Sequence, residues 1–247
     1  MSLTEQNLRE KEFHNKLHSK NTGRFENIFY KAISNAWEDF FDYLKLNAKN
    51  SVILDYGCGI GPVISKVIEF NPKKIIGIDI SDISISNAKK KLSDLSNKIE
   101  LLVDNCEKTN FNNDTFDIVY GLGIIHHLQT RRCINEISRI LKHNGVLLFI
   151  EPLGTNPIIN FYRKLTPKSR SKDEHPLIKE DFRLIRESFN EVKLKYYGFL
   201  TLIFFPFYKS TTNSFFFKLL VFLDQFLFKI KIFRIFAWSV LIIAKKN

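Results

Sequence analysis

Cysteine is scarce in this sequence and what there is lies scattered. Cys58, Cys106 and Cys133 are far apart and none belongs to a C-x-x-C pair. That spacing argues against a disulfide scaffold or a zinc site, and suits a reducing, cytoplasmic compartment. No apolar run reaches the roughly eighteen residues that a membrane-crossing helix needs. The opening MSLTEQNLREKEFHNK is polar and lacks the apolar core of a secretory signal. No Arg-rich run and no internal repeat is present, so a nucleic-acid partner is not expected.

What is abundant is apolar and basic. Of 247 residues 45% are hydrophobic, enough to bury a substantial core, and the formal net charge is +11. Such an excess fits either a merely solvated Lys-rich surface or an anionic partner, a phospholipid face or an acidic substrate. Phenylalanine is unevenly placed: residues 199–236 hold 12 of the 24.

The hydrophobic pattern alternates in period. Phe25, Ile28, Phe29, Ile33, Trp37, Phe40, Phe41 and Leu44 recur in steps that trace one helical face, which predicts a helical cap within residues 1–48. Short apolar runs then predict strands at 52–54, 74–80, 99–103, 116–122 and 145–150. They are separated by helices at 62–70, 83–95 and 129–142, the last stopped by Asn144-Gly145. Strands alternating with helices imply a parallel sheet wound on both faces, an α/β fold. Residues 151–176, rich in proline, read as loop. A helix at 178–189 and strands at 191–199 and 237–244 follow.

Chemistry concentrates at the predicted strand tips. Asp55-Tyr56-Gly57-Cys58-Gly59-Ile60-Gly61 follows a buried strand and opens a helix, so backbone can approach a ligand and N–H groups can meet a carboxylate. Asp79 ends the next strand, where a carboxylate can accept from both hydroxyls of a ribose. Val103-Asp104-Asn105-Cys106-Glu107 ends the third and suits an adenine edge. Ordinary turn formation would use the same residues. Phe116-Asp117-Ile118-Val119-Tyr120 and Ile124-Ile125-His126-His127-Leu128 complete the series.

In that order these motifs resemble the class I S-adenosylmethionine-dependent methyltransferases, in the branch with quinone- and sterol-methyltransferase-like domains. The stretches 151–163, Asp173-Glu174-His175-Pro176-Leu177 and Glu12-Phe13-His14 extend the resemblance along most of the chain. It implies a doubly wound, seven-stranded, mostly parallel sheet whose last strand, near 237–244, runs antiparallel. It implies S-adenosyl-L-methionine as cofactor, with Gly57, Cys58, Gly59 and Gly61 against its methionine portion and Asp55 orienting that loop. Asp79 would hold the ribose and Ile80 would pack on the adenine. Asp104, with the Asn105 and Cys106 backbone, would meet the adenine amino group, and Gly121 would pass the sulfonium. No metal is implied.

An NAD-dependent oxidoreductase is the weaker reading, because Asp55 pairs with a D-x-G-x-G-x-G spacing and no Tyr-x-x-x-Lys pair is recognisable. A protein or RNA methyltransferase would carry N-P-P-Y after strand four, where Tyr120-Gly121-Leu122-Gly123 stands. Methyl transfer needs a base only if the acceptor loses a proton. His126, His127, Glu151 and His175 are the candidates, the first three with a structural alternative as cap, core residue or hydrogen-bond acceptor. Arg163 and His175 would either cover the acceptor or pin the loop they occupy.

The expected division is a cap at 1–48, a catalytic domain at 49–199 and 236–247, and a Phe-rich helical insertion at 200–235. The insertion is expected to form a roof with the Phe25–Leu44 helix, or to contact an anionic membrane. The expected acceptor is an apolar or amphiphilic small molecule. The expected location is the cytoplasm, peripheral on the inner membrane face in the docking reading. The alternative to an enzyme is a non-catalytic, cofactor-binding membrane partner.

Overall fold

The computed structural model describes residues 3–19, 28–95, 97–166, 170–208, 211 and 214–247. Helix α1 (Glu5–Ser19) comes first. Its start is fixed reciprocally: Asn7 N–H donates to Thr4 Oγ1 and Thr4 N–H to Asn7 Oδ1. A 3-10 turn (Ile28–Ile33) leads into α2 (Ser34–Asn47). The sheet then begins with β1 (Val52–Tyr56), α3 (Ile64–Val67), β2 (Lys74–Asp79), α4 (Asp82–Leu92) and β3 (Ile99–Val103). It continues with β4 (Phe116–Leu122), α5 (Thr130–Ile140), β5 (Leu141–Pro152), α6 (Pro157–Leu165) and α7 (Lys179–Ser188). β6 (Glu191–Tyr197), α8 (Leu200–Ile203), α9 (Phe215–Leu227) and β7 (Ser239–Lys245) follow.

The seven strands lie in the order β3-β2-β1-β4-β5-β7-β6, with β7 antiparallel to both of its neighbours. This is the implied doubly wound sheet with a reversed last strand. Apolar side chains fill both faces. Phe40, Leu44, Ile64, Val67, Ile85 and Leu92, from α2, α3 and α4, cover one side. Cys133, Ile137, Ile140, Phe182 and Ile185, from α5 and α7, cover the other. All three cysteines are free and buried, as small packing residues.

Several expectations need correction. The polar N-terminus folds as α1, a helix without an apolar stripe. The Phe25–Leu44 face is divided between the 3-10 turn and α2, and Phe25 lies outside the described residues. α5 stops at Ile140, ahead of Asn144-Gly145. β5 starts at once, and Asn144 adopts φ +61° where the β4 pairing skips from Leu141 to Val146. The proline-rich stretch contains α6. Pro157 sits in its first turn, and Asn156 Oδ1 accepts from the Ile158 and Ile159 N–H groups.

The Phe-rich segment does not form the expected intramolecular roof. Of its 12 Phe only Phe217 and Phe228 are buried, while Phe204, Phe207, Phe215, Phe216, Phe222 and Phe226 are exposed. The segment packs at the β6–β7 end, where Gln225 donates to the Tyr196 carbonyl. It meets the 3-10 turn at Ile28–Ile33 through α8.

Candidate cofactor and acceptor site

The glycine loop is built by backbone hydrogen bonds to β2. Gly57 and Cys58 N–H both donate to the Ile78 carbonyl, at 2.9 and 2.8 Å, which turns the chain sharply after β1. Two glycines make that turn possible. Gly57 has φ +77°, and a Cβ there would stand 2.7 Å from the Ile124 side chain. Gly59 has φ +53°, and no heavy atom lies within 4 Å of where its Cβ would be. The turn therefore leaves open space at its centre. Gly121 is different, because Phe149 and Ile124 already occupy the place of a Cβ there.

Asp79 borders that space. One carboxylate oxygen accepts from the Gly59 N–H at 2.9 Å and the other from the Ser81 N–H at 2.8 Å. Each oxygen keeps lone pairs for a further donor. Ser81, the residue better suited to capping, caps α4 by accepting from the Ser84 N–H. Ile80 follows, half-buried. Asp104 is buried, and its oxygens accept from the Asn105 and Asn110 N–H groups and from the Asn110 amide. Beside it, the Cys106 carbonyl accepts from the Tyr56 hydroxyl.

Asp55 is buried beneath the loop and accepts from Tyr120 Oη at 3.0 Å. Burial pushes its carboxyl up to about 8, opposed by the Tyr120 bond and reinforced by the negative charge of Asp79. Below that pH the free protein carries a protonated Asp55. A cationic ligand favours the ionised form, so its binding must expel the proton. Cofactor affinity should therefore rise between about pH 6 and 7.5, by up to about tenfold per unit. Calorimetry in two buffers of unlike ionisation enthalpy should detect the released proton. Asp55→Asn should flatten the profile, and a profile that is already flat in the native protein would show that no such proton is displaced.

The feature that sequence reasoning missed is α1. It crosses the tips of three strands and is held by polar contacts at each. Asn15 Oδ1 accepts from Ser81 Oγ at 2.5 Å, and Lys11 pairs with Asp82 at 2.8 Å, both after β2. Asn7 Oδ1 accepts from the Asn105 amide, after β3. Gln6 donates to the His127 carbonyl, after β4. Arg9 makes a two-pronged pair with Asp173, with both bonds 2.8 Å. The only signals in the sequence were the Thr4-x-x-Asn7 start and the Glu12-Phe13-His14 motif.

His126 and His127 lie side by side, buried, with ring centroids 4.2 Å apart. His126 Nδ1 meets Glu151 Oε2 at 2.7 Å. The other Glu151 oxygen accepts from both the Ile124 and Ile125 N–H groups at 2.8 Å. Burial raises the Glu151 carboxyl to about 7 against those bonds. Glu151 thus holds the whole turn after β4. Glu151→Ala should leave two buried N–H groups without an acceptor and lower stability by about 2–4 kcal/mol, read by denaturant unfolding. A loss under about 0.5 kcal/mol would mean that water serves those groups equally well.

His127 Nδ1 stands 3.1 Å from Glu10 Oε2, and burial and then the adjacent His126 push its imidazole down to about 4. Burial would raise the Glu10 carboxyl, but the imidazoles of His127 and His14 outweigh it and hold it below the usual carboxylate range. His175 sits apart from this pair. Its ring meets Thr130 Oγ1 and the Asp173 carbonyl, and its N–H donates to the His126 carbonyl. Arg163 donates to the Leu153 carbonyl and to Asn160 Oδ1. His175 ties the segment after β5 to the turn after β4, and Arg163 braces that segment from within.

Sheet order, reversed strand and a glycine loop bordered by a strand-tip carboxylate define a nucleoside-cofactor fold. Residues 54–149 match the methyltransferase domain family. The sterol 4-C-methyltransferase of Caenorhabditis elegans is 29% identical over 112 residues, 44% of this chain and 33% of that protein. Phosphoethanolamine N-methyltransferase 3 of Arabidopsis thaliana is 31% identical over 115 residues, 46% of this chain and 23% of that protein. The match thus spans a third or less of these relatives' lengths. In fold, the geranyl diphosphate C-methyltransferase of Streptomyces coelicolor, solved with S-adenosyl-L-homocysteine, superposes with a TM-score of 0.70 over 100% of both chains at 14% identity. Over residues 54–149 the chain is similar to the methyltransferase domain family, and its fold is that of the S-adenosylmethionine-dependent methyltransferases it superposes on. The non-catalytic alternative finds no support among these matches.

Proposed function

We propose that this protein transfers the methyl group of S-adenosylmethionine to an apolar or amphiphilic small molecule delivered from an anionic membrane face. The observation that carries the acceptor class is an exposed apolar surface beside the β5 and β7 ends of the sheet. Phe161 and Leu165 of α6 are 64% and 65% exposed, and Phe215 and Phe222 of α9 are 81% and 67% exposed. α6 packs on the 3-10 turn Lys231–Phe236 that follows α9. Isolated soluble domains rarely show so much apolar surface.

Its charge complements an anionic lipid face. Residues 192–247 contain nine Lys or Arg and a single acid, Asp224. Asp224 is buried, accepting from the Phe199, Leu200 and Thr201 N–H groups and the Thr201 hydroxyl. Lys218, Lys229 and Lys231 are exposed at the edge of the apolar face. Two relatives' names, for sterol and geranyl diphosphate, agree with an acceptor of this kind, whereas phosphoethanolamine is a small polar one.

In this reading the glycine loop and Asp79 fix the cofactor. The acceptor atom attacks the methyl carbon in line as the carbon–sulfur bond breaks, leaving S-adenosylhomocysteine. Alignment supplies most of the acceleration, since a sulfonium is already a strong donor. Glu151 acts through His126 and is a positioning residue. Two measurements test the proposal together. Labelled S-adenosylmethionine with vesicles bearing a cell lipid extract should yield label in the organic phase. Sedimentation with anionic vesicles should fall several-fold when Lys218, Lys229 and Lys231 become Gln. A protein that binds the cofactor yet labels no lipid or amphiphile, and ignores anionic vesicles, would overturn the proposal.

A further inference from the structure

Glu10 and His14 lie one turn apart on α1 and face the same way. They meet His127 of the turn after β4, so two segments far apart in sequence converge on one point. Glu10 Oε2 is 3.1 Å from His127 Nδ1 and 3.6 Å from His14 Nε2, and one ligand atom from each residue lies within 4.8 Å of the others. A second trio, His126, His127 and Glu174, satisfies the same condition and shares His127.

Two further observations separate this cluster from an ordinary ion pair. Glu10 is only 5% exposed, and no well-aligned donor meets either of its carboxylate oxygens, so the imidazoles of His127 and His14 are what balance its charge. Its approach to His127 is a matter of distance rather than of alignment. A buried carboxylate left in that condition is costly unless a cation faces it. The spacings also fit a metal. Tetrahedral ligands about 2.0–2.1 Å from a common centre stand about 3.3 Å from each other, and 3.1 and 3.6 Å bracket that value. Behind the cluster, Glu151 orients His126 through Nδ1, the arrangement that commonly supports metal-binding imidazoles.

We propose that Glu10, His14 and His127 bind a first-row divalent transition metal, with His126 and Glu174 within reach, and that the ion latches α1 across the strand tips. Two imidazoles with carboxylate oxygen suit Zn²⁺, Fe²⁺ or Co²⁺ rather than Mg²⁺ or Ca²⁺, which favour all-oxygen shells. The scarcity of cysteine excluded only thiolate sites and says nothing of this one. The proposal stands apart from methyl transfer, since it requires neither acceptor nor turnover.

The test uses full-length protein without a histidine tag, stripped with a chelator and then titrated with Co²⁺ and Zn²⁺. One equivalent should bind, with visible absorption in the Co²⁺ form. Glu10→Gln and His14→Ala should each weaken binding by about a hundredfold or more, while His143→Ala, at an exposed site, should not. Circular dichroism and cofactor calorimetry on each variant establish that the domain remains folded. Zn²⁺ should also slow tryptic cleavage at Lys11 and Lys16 in the native protein but not in the variants. Equal metal uptake by native and variant proteins would overturn the site. Uptake without protection of α1 would overturn the latch.

Discussion

Gly59→Val should give a folded protein that no longer takes up S-adenosylmethionine, with affinity lowered by more than about a hundredfold, or about 3 kcal/mol. The reasoning starts from what surrounds the residue. No protein atom lies within 4 Å of the missing Cβ, so a larger side chain meets no neighbour and the fold survives. The same space, bordered by the loop and Asp79, is the one we propose for the ligand. A branched side chain fills it, and at φ +53° it also strains the turn by about 1–2 kcal/mol. Calorimetry and thermal unfolding on one sample separate the two effects. Ordinary cofactor binding by the folded variant would place the ligand elsewhere.

Asp79→Ala should weaken cofactor binding by about ten- to a hundredfold, about 1.5–3 kcal/mol. Two losses combine. The substitution removes the acceptor we propose for ribose hydroxyls, and it also frees the Gly59 and Ser81 N–H groups that the carboxylate organises. Asp79→Asn distinguishes them. Its amide offers one acceptor oxygen, and its NH₂ would confront one of those two N–H donors, so it should fall near the alanine variant despite its matching shape. Native-like affinity in both variants would remove Asp79 from the site.

Much of the frame was legible because buried strands announce themselves. β4 occupies Phe116–Leu122, the span its apolar run predicted, and the glycine loop and Asp79 stand at strand tips as their spacing required. What escaped was information that sequence carries only across long distances. α1 has no apolar stripe because it docks through side-chain hydrogen bonds and ion pairs, and no periodicity records such docking. Glu10 and His14 reach His127 through the folded chain, so no local motif displays the cluster. α6 was hidden by prolines that read as loop, although Pro157 initiates the helix. The Phe-rich segment misled in another way. Its composition demanded a partner, and the chain supplies one for only a fraction of those side chains.

The placement of β7 has a kinetic consequence. β6 joins the sheet only through β7, and β7 reaches β5 by pairs as distant in sequence as Val146 with Lys245. Closing so long a loop is slow relative to forming the local β–α units. Until it closes, the β6–β7 pair is not attached to the sheet, and the phenylalanines between the two strands hang on an unfinished edge. An intermediate of that kind is aggregation-prone in bulk water. Refolding yield should therefore depend on protein concentration, and vesicles that capture the apolar segment would act on the chain as it matures as well as on the folded protein.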